Sequence, residues 1–248
     1  MIWSMGQVKL LFRRAFFIFL GLLTVFVIVV LFQSVCPEQE LGTVSAYDFP
    51  PSLVDFQTDV DSLEKVFGVN KVFADPYKKA ALFAMTVFPE LANESITFVM
   101  TTSGAPLETN FEWLTLFLPR SQRIYEIRLN DASESKFDGI LMRDLSLDAQ
   151  VAILAHELGH VRYYQSLSSV AIAKWGLLYL IDYDFRAIHE RSTDQLVIKK
   201  GLGNQLYKYA RFVRYSEKNK KLYQVWGDYM DRFYLTDQEV LEYMMDIH

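Results

Sequence analysis

The sequence predicts an α+β domain, a small mostly antiparallel sheet followed by a helical region, carried on one N-terminal transmembrane helix. Three observations predict it. An uncharged apolar run lies near the N-terminus. Runs rich in aromatic and β-branched residues gather between residues 96 and 142, punctuated by glycine and proline. From Ser146 onward the periodicity turns helical, with Gly176, Gly201, Gly203 and Gly227 as breaks.

The first element is the apolar run Ala15–Phe32, in which Thr24 is the one polar side chain. As a helix it would reach roughly 27 Å, close to the hydrocarbon thickness of a bilayer. Lys9, Arg13 and Arg14 precede it, and Glu38, Glu40 and Asp48 follow. The positive-inside rule then leaves the N-terminus in the cytoplasm and the rest of the chain outside it. The run is too long for the apolar part of a cleaved signal peptide, and the small residues Val44-Ser45-Ala46 lie far behind it. Residues 1–36 are thus expected to be a cytoplasmic tail and anchor, and 37–58, with Pro37, Pro50 and Pro51, a tether. Residues 59–248 are expected to be the folded domain.

Charge narrows the partners. Three of the 25 basic residues precede the apolar run, leaving 22 against 30 acids, a net of −8 beyond it. No basic face for nucleic acid is expected. Cys36 is the single cysteine, so no intrachain disulfide can form.

Within the domain, Asp75-Pro76 marks a helix start, with the helix running from Tyr77 to Phe88 before Pro89. Strands are expected at Ile96–Thr101, Glu112–Leu118, Arg123–Asn130 and, briefly, Ile140–Met142. Ser146 caps a long helix, and Asp148 favours its first turn. Ser169–Asp182 is apolar but too short to span a bilayer, and is expected to be a core helix rather than a lip resting on lipid. Thr236-Asp237-Gln238-Glu239 is a capping box that opens the last helix.

The chemistry lies in two of these helices. In the helix that Ser146 caps, running through Ala149–Tyr164, His156 and His160 are four residues apart and therefore share a face, so both imidazoles can reach one metal ion. Glu157 lies between them. Zinc with three protein ligands keeps one position for water, lowers that water's pKa, and lets a neighbouring glutamate take its proton. The metzincin extension is absent: Tyr163 stands where that pattern needs glycine and Ser166 where it needs histidine. A third ligand must come from elsewhere. In the helix from Asp184 to Gly201, Glu190 and Asp194 share a core-facing stripe with Ala187 and Val197. Two buried carboxylates need partners. Glu190 on zinc, with Asp194 accepting an N–H from a ligating histidine, would satisfy both. His189 is the rival ligand; it is turned about 100° from Glu190, so one of the two faces the metal and His189 is expected at the rim.

The pair HELGH (156–160) and ERSTD (190–194) resembles the gluzincin zinc peptidases. Gly139–Val161 resembles the strand, loop and active helix of minigluzincins and of the CAAX-processing and heat-shock membrane endopeptidases. The resemblance covers roughly residues 122–203. It implies Zn²⁺ on His156, His160 and Glu190, Glu157 as general base, and Asp194 behind a ligating histidine. It also implies a peptide or protein substrate bound along a sheet edge, sought here near Leu129-Asn130-Asp131-Ala132. An oxyanion donor is expected among Tyr234, Arg211 and Tyr207, with Tyr209, Arg214 and Tyr215 as further candidates. The function expected is that of a membrane-anchored zinc metallopeptidase, single-pass, with its catalytic domain outside the cytoplasm. The alternative is a non-catalytic anchored binding or quality-control protein on the same fold.

Overall fold

The computed structural model describes residues 60–101, 107–111, 115, 118–131 and 140–247. The Ala15–Phe32 run and the 37–58 tether lie outside these residues. Among the described residues no helix is long and apolar enough to cross a membrane.

The domain is α+β. Helix α1 (Val60–Phe67) and strand β1 (Lys71–Val72) precede a short 3-10 turn at Asp75–Tyr77 and helix α2 (Lys78–Thr86). Strands β2 (Ser95–Thr101), β3 (Leu107–Phe111) and β4 (Ile124–Asn130) complete the sheet. Six helices follow: α3 (Leu147–Ser166), α4 (Ser169–Ile181), α5 (Tyr183–Val197), α6 (Gly203–Tyr215), α7 (Lys220–Phe233) and α8 (Asp237–Asp246).

The sheet corrects the expectation of mostly antiparallel pairing. Its order is β1-β2-β4-β3; β1 with β2 and β2 with β4 are parallel, and only β3 with β4 is antiparallel. Helix α2 provides the crossover from β1 to β2. Strand β4 then inserts between β2 and β3 instead of joining the sheet's end. Alternating burial fixes which face of a strand is inward, and carries no information on strand direction or neighbour.

Two strand boundaries also differ. The sheet takes Leu107–Phe111 in place of the expected Glu112–Leu118, of which the two described residues, Thr115 and Leu118, are not in a strand. Ile140–Met142 is not a strand; it leads into a 3-10 turn at Met142–Asp144. The capping residue of the early helical segment is Ala74 rather than Asp75, with Pro76 in the 3-10 turn.

The main apolar core lies between the sheet and the helices, and a smaller one gathers around Ile140, Val213 and Met230. Ile96 and Phe98 from β2, and Tyr125, Ile127 and Leu129 from β4, face it. Helix α3 runs through the centre and packs on α2, β3, α5 and α6. Ser146 caps it, its hydroxyl accepting the Ala149 N–H at 3.3 Å. A helix central to a domain is covered all round, and α3 buries His156, Glu157 and His160 along with Val151, Leu154, Leu158 and Val161. Gly159 lets α5 approach this closely: a Cβ there would lie 2.8 Å from Thr193 Cγ2.

Helix α5 begins one residue earlier than Asp184, with the Asp182 carboxylate accepting the N–H groups of Asp184 and Phe185. Its helical run is broken at Gly201, the glycine expected from the sequence to stop it, which adopts a left-handed conformation. The chain passes through a π-turn at Ile198–Leu202, bends at Gly201 (φ 87°), and continues directly as α6. The capping box of α8 forms as expected between Thr236 and Glu239.

Candidate metal centre

Two helices build the site. On α3, His156 and His160 project one turn apart, their rings at 4.7 Å and nearly perpendicular. On α5, Glu190 and Asp194 project one turn apart towards them. Crossing of α3 and α5 at Gly159 and Thr193 brings the two pairs together.

His156 Nε2, His160 Nε2 and Glu190 Oε2 form a small triangle. Its edges are 3.0 Å (His156 to Glu190), 3.1 Å (His156 to His160) and 3.4 Å (His160 to Glu190). All three side chains are buried, and their ligand atoms lie within 4.8 Å of one another. A four-coordinate ion with bonds of about 2.0–2.2 Å to nitrogen and oxygen requires edges of roughly 3.3–3.5 Å.

The other atoms of these side chains are already engaged, which fixes where their lone pairs point. His156 Nδ1 donates to Asp194 Oδ1 at 2.8 Å. His160 Nδ1 lies 3.1 Å from His189 Nε2, and donates to it when His189 is neutral. With both Nδ1 atoms protonated, three lone-pair atoms converge, and they repel unless a metal cation or a further proton lies between them. The electrostatics agree. Burial by itself lowers the pKa of His156, but its hydrogen bonds to Asp194 and Glu190, and their charges, raise it well above its ordinary value. Burial raises that of Glu190, yet the charge of His160 and hydrogen bonds from His156 and His160 hold it well below the carboxylate range. The two carboxylates demand positive charge at this point, and the donor set fits a metal ion.

Further groups brace the ligands. The Tyr179 hydroxyl on α4 donates to Glu190 Oε1 at 2.5 Å. Asp194 Oδ2 accepts the backbone N–H of Leu235 at 2.8 Å, so this one carboxylate ties His156 to the segment between α7 and α8. Arg191 fastens the same segment to α5: it donates to the carbonyls of Asp231 and Tyr234, both at 3.3 Å, and pairs with Glu239.

Glu157 is buried beside the triangle and does not belong to it. Its Oε2 accepts the Thr109 hydroxyl of β3 at 2.6 Å. Strand β3 is an edge of the sheet among the described residues. The segment near Leu129 to Asp131, expected to lie at that edge, instead belongs to β4 and its end, inside the sheet.

His189 is not a rim residue. It is partly buried, its ring stacked at 5.0 Å on His160 and packed against Trp175 and Tyr163. Burial, then the charge of His160, lowers its pKa to about 3, so it is neutral and can accept from His160 Nδ1. Of the expected oxyanion donors, Tyr234 stands at the site, its ring 5.8 Å from that of His156. Burial, then the charge of Glu190, holds its phenol protonated. Tyr209 is similar, its pKa raised by burial and by Asp194 and Glu157. Tyr207 and Arg211 bond each other at 3.1 Å on an exposed face of α6. Arg214 pairs with Asp231, and Tyr215 is exposed, 3.4 Å from Asp237.

Thr109 and Tyr179 touch the site, and sequence periodicity does not flag them. Thr109 lies in a strand placed a few residues off in the sequence reading. Tyr179 sits in an apolar run whose residues resemble ordinary core. No family model, no curated protein and no solved structure matches this chain.

Proposed function

We propose that this chain is a membrane-anchored zinc peptidase, with Ala15–Phe32 as the anchor and the described domain outside the cytoplasm. The observation that carries the proposal is the buried triangle of His156, His160 and Glu190 with Glu157 beside it. Two imidazoles and one carboxylate are a donor set suited to catalytic zinc, with a fourth position left for water or substrate. Zinc bound there would act as a Lewis acid on the scissile carbonyl and on the attacking water.

The chain's own residues do the rest. Thr109 holds Glu157 Oε2, leaving Oε1 to take the proton of the attacking water and pass it to the departing amine. Asp194 and His189 orient the two imidazoles from behind, and Tyr179 steadies Glu190. A peptide that pairs as an extra strand with the β3 edge would run past Thr109 and Glu157. Tyr234, kept protonated, donates to the oxyanion that develops on the carbonyl.

The test is direct. Purified full-length protein in detergent should contain one zinc per chain and cleave peptides, and a chelator should abolish cleavage until zinc is restored. Zinc-free protein, or cleavage unaffected by chelation, would overturn the proposal. Tyr234→Phe removes only the phenolic donor; kcat should fall by about 10²-fold with metal content unchanged. His189→Ala removes the acceptor behind His160 and should weaken zinc binding by roughly 10–100-fold, read by competition with a chelating dye.

A further inference from the structure

Helix α4 carries apolar side chains on both faces. Its inner face is occupied. Ile172 is buried, Trp175 packs against Tyr164 and His189, and the Tyr179 hydroxyl reaches Glu190. Its outer face repeats at helical spacing as Val170, Ala173, Leu177, Leu180 and Ile181. Val170, Leu180 and Ile181 are 47%, 77% and 63% exposed, and Tyr183, which opens α5, is 57% exposed. The sequence reading that made α4 a core helix holds for one side of it only. A contiguous apolar face of this kind marks an interaction surface.

The chain itself points to what covers this face. Ala15–Phe32 is uncharged and long enough to span a bilayer, and the tether 37–58 ends just before the described domain. Extended, that tether reaches at most roughly 75 Å, so the domain stays close to lipid and can lay any of its faces upon it. Lys174 is the sole charged residue of α4, and it lies on the outer face midway along the apolar stripe. The exposed apolar side chains around it are of a kind that enters the boundary between headgroups and acyl chains.

We propose that the outer face of α4 rests in the interfacial layer of the bilayer that holds the anchor. This rests on the anchor reading of Ala15–Phe32, and not on hydrolysis. Because the inner side of the same helix touches Glu190 and His189, the metal centre would sit about one helix diameter, ~10 Å, above the lipid. The substrates within reach are then peptide segments that emerge from the membrane or lie along its surface.

The experiment uses the full chain with Cys36→Ser, carrying a single new cysteine at Leu180→Cys or, as a second position, Ile181→Cys. Each is labelled with nitrobenzoxadiazole and reconstituted in phosphatidylcholine–phosphatidylglycerol vesicles. Val225→Cys, at a 74% exposed position on α7, is the reference. Labels at 180 and 181 should shift to the blue and be quenched several-fold by doxyl lipids. The label at 225 should respond only to aqueous iodide. Iodide quenching at 180 and 181 equal to that at 225 overturns the proposal. Shielding from iodide without doxyl quenching, together with cross-linking between copies, assigns the face to a second copy and also overturns it. A chain that washes off the vesicles removes the anchor premise and the proposal with it. It leaves the zinc chemistry to be judged by its own assay.

Discussion

Glu157→Gln is expected to keep its zinc and lose peptide hydrolysis by roughly 10²–10⁴-fold. The substitution keeps size and helix propensity, and the amide oxygen can still accept the Thr109 hydroxyl that Glu157 Oε2 accepts at 2.6 Å. Glu157 belongs to neither the ligand triangle nor its bracing, so metal content should not change. What disappears is the capacity to take a proton. The check is a paired measurement of kcat and bound zinc on the same preparation. Zinc lost along with activity would make Glu157 a structural group, and the general-base mechanism would have to be replaced.

Glu190→Ala is expected to cost the metal itself. It reduces three donors to two and leaves Tyr179 without the carboxylate that accepts its hydroxyl. Zinc affinity should fall by more than the roughly 10–100-fold typical of losing an outer partner such as His189. Asp194→Ala belongs to that smaller class for metal, but it also orphans the buried Leu235 N–H, which by itself costs about 1–3 kcal/mol. The two carboxylates of α5 are therefore separable: one governs metal retention with modest change in folding, the other weakens both. Dialysis against a chelating dye, with thermal unfolding alongside, reads the two effects. A Glu190→Ala protein that keeps a full equivalent of zinc would exclude Glu190 as a ligand and the gluzincin reading with it.

The candidate metal centre is largely legible in the sequence, because its parts obey one local rule. His156 with His160, and Glu190 with Asp194, are each four apart on a helix, and that spacing alone puts each pair on one face. The bracing was not legible, because it depends on which element meets which. Thr109 reaches Glu157 only because β4 inserts between β2 and β3 and leaves β3 at the edge beside α3. Tyr179 reaches Glu190 only because α4 folds back on α5 at the Asp182 cap. The angular offset of His189 from Glu190 rules out a shared ligand role and by itself suggests only a place at the rim. That offset turns it to the far side of His160, where it serves as acceptor. The parallel pairing of the sheet had no local signal at all.

The bond from Leu235 N–H to Asp194 has a consequence in time. A ribosome that has just added Glu190 still needs roughly 2–9 s to reach Leu235, at about 5–20 residues per second. During that interval the nascent chain owns every ligand of the triangle while Asp194, which sets the His156 ring, has only one of its two partners. Assembly of the site in its final geometry therefore waits until Leu235 has been made. A chain broken off before Leu235 would carry the whole triangle and lack one of the two partners that hold Asp194.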